Sequence, residues 1–337
     1  MLAAARRAST RSIVAAGVRP FSADIEAVSK RYETFNKLKQ VCEAMQMVSS
    51  ALAPKAQEMA KQANRTMRRG LDRWWAPNQL MYWSWKRLPW VREKRPRRHL
   101  FIAIAGDQGM CASANTAPAM LTGKYFQALK KEYPDDEFRY GCIGKRAVAR
   151  TRFMFDNDDL FAFAIGGAAR ARTPGAKFIE LVIDEIAQLS PDWIHVGSAD
   201  FFEPWNMKVS VKQIPGYELA RLSIVERERI VVNYNSKEGT LYNNYNYLYN
   251  KNLDAWYYEY LAMRLTNLIM NHRACEQTQR MQAMEGAVKN IRDELQRLMV
   301  TKNRLRQAQA TESAALGAMG AVSLMMLANP FDSDGTY

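Results

Sequence analysis

Residues 253–328 read LDAWYYEYLAMRLTNLIMNHRACEQTQRMQAMEGAVKNIRDELQRLMVTKNRLRQAQATESAALGAMGAVSLMMLA. No proline occurs between Pro215 and Pro330, and the only glycines in the quoted stretch are Gly286, Gly317 and Gly320. Apolar residues return at strides of three and four: Leu261, Leu265, Leu268, Met284, Val288, Ile291, Leu295, Leu298 and Leu305. That is the period of an α-helix, held far beyond the ~8–20 residues of an ordinary globular helix. At a rise of 1.5 Å per residue, about 70 residues span roughly 100 Å, more than a compact domain of this size can enclose. Such a helix must project and needs a partner along its length. The pattern favours a mechanical or scaffolding protein over a self-contained enzyme.

A partner is present at the other end of the chain. Across residues 23–69, Ile25, Val28, Tyr32, Phe35, Leu38, Cys42, Met45, Val48 and Leu52 recur at the same strides, with charges between them. Pro54 interrupts the run and is expected either to kink the helix or to lie where its missing hydrogen bond is tolerated. Two long amphipathic helices at opposite ends of a chain are natural partners in an antiparallel coiled coil.

Charge is unevenly spread. The net charge is +14, and it resides in residues 1–99, where 21 Lys/Arg face 7 Asp/Glu. Residues 1–22 carry Arg6, Arg7, Arg11 and Arg19 among Ser and Ala with no acid, the composition of a mitochondrial transit peptide. Residues 70–98 hold Trp74, Trp75, Trp83, Trp85 and Trp90, and ten Lys/Arg lie between Arg68 and Arg98. Trp and Arg could stack bases and neutralise phosphates. They are also the residues enriched at protein interfaces, and beside two long helices a protein contact is the better reading, with anionic lipid headgroups as a further candidate. Residues 234–252 are rich in Asn and Tyr and read as an ordered loop or a partner contact; residues 329–337 form a tail.

Residues 99–233 alternate differently. HLFIAIA (99–105), FRYGCI (138–143), FAFAI (161–165) and DWIHVGSADFF (192–202) read as strands, separated by helical stretches at 114–131, from 145, and at 177–189. MKVSVKQI (207–214) reads as a hairpin partner for the last of them. The alternation predicts a Rossmann-like three-layer α/β domain with a mostly parallel sheet. The expected fold class is therefore α/β, combined with the long antiparallel coiled coil.

No cofactor, metal or catalytic site emerges. The turn Gly106-Asp107-Gln108-Gly109 stands where a dinucleotide loop would, but G-x-G-x-x-G is absent. Gly144-Lys145 lacks the preceding glycine and following Ser/Thr of a phosphate loop. His99, His195 and His272 are scattered, and Cys42, Cys111, Cys142 and Cys275 show no C-x-x-C spacing, so free thiols are expected. On the long helix, Thr301, Asn303, Arg304, Arg306, Gln307 and Thr311 form a polar ring, because Arg304 and Arg306 cannot share one narrow stripe. Beyond it, ALGAMGAVSLMMLA is small and apolar on all sides and must be enclosed by something.

At this point the chain resembles the gamma-subunit family of F-type ATP synthases. Ala44-Met45-Gln46-Met47-Val48-Ser49 is similar to the family's N-terminal helix motif, and Ile102–Cys111 to the strand and turn that open its central domain. The resemblance is strongest at Glu276, Arg280-Met281, Ala283-Met284-Glu285, Ala287 and Lys289-Asn290. It continues through Thr301, Asn303-Arg304-Leu305-Arg306-Gln307-Ala308, Thr311 and Gly320-Ala321. Ser313, Leu316 and Pro54 depart from the family pattern. The resemblance implies a non-catalytic rotor shaft of a mitochondrial proton-translocating ATP synthase, on the matrix face of the inner membrane. It implies as partners the alpha and beta subunits, the delta and epsilon stalk subunits and the c-ring, and it implies no nucleic acid. Met45, Met47, Asn303, Arg304, Arg306, Gln307 and Thr311 would be subunit contacts; Trp74, Trp75, Trp83, Trp85 and Trp90 would dock lineage-specific subunits or anionic lipid. The alternatives from the residues alone are an α/β enzyme or an RNA-binding scaffold with a coiled-coil arm.

Overall fold

A computed structural model describes residues 21–67, 97–154, 161–166, 174–202, 206–220 and 239–328. The expected transit peptide, the five tryptophans of the basic segment and the tail lie outside the described residues. Two helices bound the rest: α1 (Phe21–Thr66) and α5 (Gly239–Ala328, 90 residues). The long helix thus begins at Gly239 rather than near Leu253, and residues 239–252 belong to it instead of forming a loop. Unbroken backbone hydrogen bonding, with no proline to interrupt it, carries helix through a stretch whose composition suggested otherwise.

The chain divides into two compact units, one of Met1–Ala44 with Glu285–Tyr337, the other of Met45–Met284. The second contains the sheet. Its strands are β1 (Arg98–Ile104), β2 (Glu137–Ile143), β3 (Phe161–Ile165), β4 (Trp193–Phe202) and β5 (Asn206–Pro215). Between them run α2 (Thr116–Glu132), α3 (Lys145–Met154) and α4 (Ala176–Leu189). The order is β3-β2-β1-β4-β5; β1 pairs in parallel with β2 and β4, β2 in parallel with β3, and β4 antiparallel with β5.

Parallel strands carry helices on both faces, so both faces must be apolar. One face of β1 sends Phe101 and Ala103 toward α2 and α3, joined by Phe138, Tyr140, Phe126 and Ala147. The other sends Leu100, Ile102 and Ile104 toward Ile179, Val182 and Ile186 of α4 and Leu261, Leu265 and Leu268 of α5. The expected three layers are present, with one refinement: the long helix is itself part of the second helical layer. Gly144, at the β2–α3 turn, has φ +94°, and a Cβ there would collide with the Ala105 carbonyl. Only glycine suits that position.

Within this unit α1 and α5 pack antiparallel. Gln57 Nε2 donates to Thr278 Oγ1 at 3.0 Å, and Asn64 Nδ2 to Asn271 Oδ1 at 2.9 Å, so α5 numbers fall as α1 numbers rise. The seam of α1 here is Ala53, Ala56 and Ala60, all buried, with Ser49 buried before them. Val48, expected in the seam, is exposed, because the inward position passes from Met45 to Ser49 and on to Ala53 at strides of four. Pro54 does not end the helix; it sits on the exposed face, where water can satisfy the carbonyl it leaves unpaired.

The first unit is also an antiparallel pair. Lys302 Nζ donates to Ser29 Oγ at 3.0 Å and Arg292 Nη2 to Glu43 Oε1 at 2.9 Å. Cys42, Val288, Leu295 and Leu298 are buried, with Ile25, Val28, Tyr32 and Phe35 half-buried, while Leu38 lies 45 % exposed outside the seam. Among the described residues no helix is long and apolar enough to cross a membrane.

Candidate interaction surfaces and the seat of the long helix

The long helix changes character along its length. In the first unit, Asn303, Arg304, Arg306, Gln307 and Thr311 occupy successive turns and all are exposed. The Thr311 hydroxyl donates back to the Gln307 carbonyl at 2.9 Å. Residues 309–325 are exposed without exception, and Leu316, Met319, Val322, Leu324 and Met325 are 51 to 72 % accessible. Isolated exposed apolar residues are ordinary, but a continuous apolar helix end is the mark of an interaction surface. In the second unit, Met45 is half-buried and Met47 is 66 % exposed on α1.

In the same unit α5 is seated on a loop that the sequence marked only as a tight turn. In doubly wound sheets the crevice beyond the carboxyl ends of the strands, where the strand order switches direction, is where ligands bind. Here the order switches between β1 and β4, and α5 fills that place. Glu276 lies so close to Gly106 that its Oε1 would stand 2.5 Å from a Cβ there. Arg280 donates through Nε to the Gly109 carbonyl at 3.2 Å and through Nη2 to Glu276 Oε1 at 2.5 Å. His272 Nε2 and Asn115 Oδ1 are 3.1 Å apart. Asn115 precedes α2 but makes no capping bond; its amide instead accepts from the Gly106 N–H at 2.7 Å and donates to the Gln108 carbonyl at 2.8 Å. The loop needs this clasp, since Met110 and Ala112 both adopt left-handed φ, at 60° and 46°, a conformation unfavourable for residues with a Cβ.

Burial sets the electrostatics of the seat. Loss of solvent raises the Glu276 carboxyl, opposed by the Arg280 and Arg273 guanidinium groups. It lowers Arg273 and holds the fully buried His272 imidazole at about 4, hence neutral at physiological pH. His99 and His195, far apart in sequence, meet on the sheet with Nδ1 and Nε2 3.1 Å apart, and burial pushes His195 down to about 3. The four cysteines are free and buried, and Cys275 is pushed up to about 12 by burial. Among the described residues no group of three or more His, Cys, Asp or Glu could hold a metal ion.

The structure therefore gathers Asn303, Arg304, Arg306, Gln307 and Thr311 on one helix segment, with Met45 and Met47 on α1 in the other unit. Sequence reading missed the seat formed by His272, Asn115 and Arg273 and the amide cluster of Asn64, Asn267 and Asn271. No local signal joins residues some 200 positions apart; only the alanine heptad at 53, 56 and 60 was open to reading.

These features define, in one unit, an α/β domain packed on antiparallel stretches of α1 and α5 and, in the other, an antiparallel helix pair whose longer member presents exposed polar residues and an exposed apolar end. The ATP synthase family model matches residues 24–313. The mitochondrial ATP synthase gamma subunit of Drosophila melanogaster is 24% identical over 322 residues, covering 90% of this chain and 91% of that protein. The ATP synthase gamma chain of Francisella tularensis is 25% identical over 259 residues, covering 70% and 78%. Among solved structures, a chain of the Euglena gracilis mitochondrial ATP synthase OSCP/F1/c-ring assembly matches with a TM-score of 0.65 at 15% identity, covering 94% of this chain and 100% of that one. A chain of the rotor of the same organism's enzyme matches at 0.59 and 16%, covering 85% and 99%. The chain belongs to the ATP synthase gamma-subunit family, as a divergent member.

Proposed function

We propose that this chain is the central shaft of a mitochondrial proton-translocating ATP synthase, coupling rotation of the c-ring to conformational change at the catalytic sites of the alpha/beta head. The observation that carries the reading is that α5 exposes Asn303, Arg304, Arg306, Gln307 and Thr311, with Leu305 and Ala308 half-buried between them, and is then exposed at every residue from 309 to 325. A broad exposed polar face suits a rod that meets different neighbours in turn. An apolar end suits a sleeve that encloses it without fixing its orientation. An asymmetric rod inside a ring of like sites makes those sites inequivalent, which is a coupling free energy between distant sites.

In this reading the chain contributes no catalytic residue, and Arg306, Gln307, Asn303, Arg304, Thr311, Met45 and Met47 contact the head. The α/β domain faces the delta and epsilon subunits and the c-ring at the matrix side of the inner membrane. Trp74, Trp75, Trp83, Trp85 and Trp90 dock a lineage-specific subunit or anionic headgroups.

The test uses the whole complex. Arg306→Ala with Gln307→Ala should lower ATP synthesis at least tenfold while the complex still assembles. Unchanged synthesis, or a complex that pumps protons normally with this chain stripped out, refutes the shaft. Replacing the five tryptophans together should weaken assembly and spare hydrolysis by the preformed head; normal assembly refutes their docking role.

A further inference from the structure

The α1–α5 seam of the second unit has an unusual composition. On α1 it is Ala53, Ala56 and Ala60, spaced three and four apart and no more than 8 % exposed; Ala56 and Ala60 are buried in one cluster with Ala274 and Cys275 of α5 and Ala199 and Phe201 of β4. Alanine lets two helices approach closely. It also makes the α1 knobs the same size, so a displacement of α1 by one helical repeat sets one methyl where another was. In coiled coils register is specified by knobs that differ in shape, or by a polar residue whose partner exists in one register only.

Polar residues of the second kind are present. Asn64 Oδ1 accepts from Asn267 Nδ2 and from Asn271 Nδ2, each at 2.9 Å, and its own Nδ2 donates to Asn271 Oδ1 at 2.9 Å. Asn267 and Asn271 are 3 and 2 % exposed, so displacing Asn64 would leave buried amides unpaired. The second Nδ2 proton of Asn271 is also used, by the Asn267 carbonyl at 2.9 Å, so this amide has no spare donor for another partner. Two turns further along α1, Gln57 donates to Thr278, itself 2 % exposed.

We infer that Asn64, Asn267 and Asn271, supported by Gln57 and Thr278, form a polar register lock that holds α1 and α5 in one axial alignment against the alanine seam. Resting on the shaft reading, this makes them positioning residues for coupling. A pair of helices that can slide past each other by a turn relieves torque as slip instead of delivering it to the head.

The experiment separates the lock from the shaft. Spin labels are placed at Glu58→Cys and Gln282→Cys, both exposed, in the full chain within its complex; the four native cysteines are buried and label poorly. The parent should give one distance. Asn64→Leu alone, which strands Asn267 and Asn271, should lower the melting temperature. The triple variant Asn64→Leu, Asn267→Leu, Asn271→Leu should recover it, yet show a second distance, the one expected for an axial displacement of about 5 or about 10 Å, one turn or one heptad. Protons pumped per ATP should fall at least twofold in that variant while hydrolysis persists. Should the triple variant not fold, Gln57→Leu with Thr278→Val removes the second contact alone and should give a smaller displaced population. Adding Ala60→Leu with Ala274→Gly supplies a unique knob and hole and should restore one distance. A single parental distance in every apolar variant overturns the lock. A displaced distance with unchanged pumping per ATP supports the lock and counts against the shaft reading.

Discussion

The two helix-paired regions of this protein are built from the same two helices and solve different problems. In the first unit the pair stands alone among the described residues. Its seam uses bulky residues such as Val288, Leu295 and Leu298, and its polar contacts, Glu43–Arg292 and Ser29–Lys302, sit at the rim. In the second unit α5 is covered by the sheet, by α1 and by the loop from Gly106 to Asn115. The seam there is alanine, and the polar residues are inside: Asn267, Asn271, His272, Glu276, Thr278 and Arg280 are all 3 % exposed or less. The difference teaches where specificity resides. A naked pair can leave its polar groups to water and align by the shapes of large knobs. An enclosed one must pair the bulk of its polar groups within the protein, and that obligation fixes how the elements meet.

Breaking the enclosed region should have the largest effect. Glu276→Ala leaves the buried Arg280 and the half-buried Arg273 without their carboxylate, which should cost about 3–5 kcal/mol in denaturant unfolding of the full chain. A loss under 1 kcal/mol would mean the seat is not as dry as it looks. Leu265→Ala, fully buried against the sheet, should cost about 3–4 kcal/mol, and Leu295→Ala in the naked pair about 2 kcal/mol, since a site open to water collapses more readily around the deletion. Equal losses would erase the distinction between the two regions.

Acidification should act on the enclosed region as well. The folded-state value of His272 is depressed to about 4 from an ordinary 6.5, so the unfolded chain takes up its proton first. Its contribution of about 3 kcal/mol is complete above pH ~6.5 and is lost as pH falls toward ~4. His195 acts with the same sign over a window reaching down to about 3. Glu276 acts with the opposite sign, because its carboxyl is raised and protonation favours the folded form. His272→Gln should flatten the pH dependence of the melting temperature between pH 6.5 and 4; an unchanged slope would assign the dependence to other groups. At the small end, Arg292→Ala should change stability by less than about 0.5 kcal/mol, because its pair with Glu43 is at the surface of the naked region.

Much of this architecture could be read without coordinates. A stride of three and four sustained past Leu298 could only be a long helix, and a second such stride at the other end supplied its partner. HLFIAIA and the runs after it predicted the strands and their mixed pairing, because short apolar segments between helices leave few other sheet arrangements. The exposure of Asn303, Arg304, Arg306 and Gln307 was legible too, but they form a broad face rather than the expected ring, because Leu305 and Ala308 keep a half-buried side. Local composition misled at residues 239–252, where Asn and Tyr suggested a loop, and at Val48, where a stride of three was assumed and the helix uses four.

The existence of the long helices and the positions of the strands are properties of neighbours in sequence, repeated at a fixed period, and periodicity is enough to specify them. What only the tertiary structure decided is how α5 is held. His272 meeting Asn115, Arg280 reaching the Gly109 carbonyl and Asn64 shared between two amides of α5 join positions 157 to 207 residues apart. Each side chain by itself is compatible with a solvated helix face. Their roles follow from enclosure, which removes water from all of them at once and leaves each the partner that the fold brings within reach.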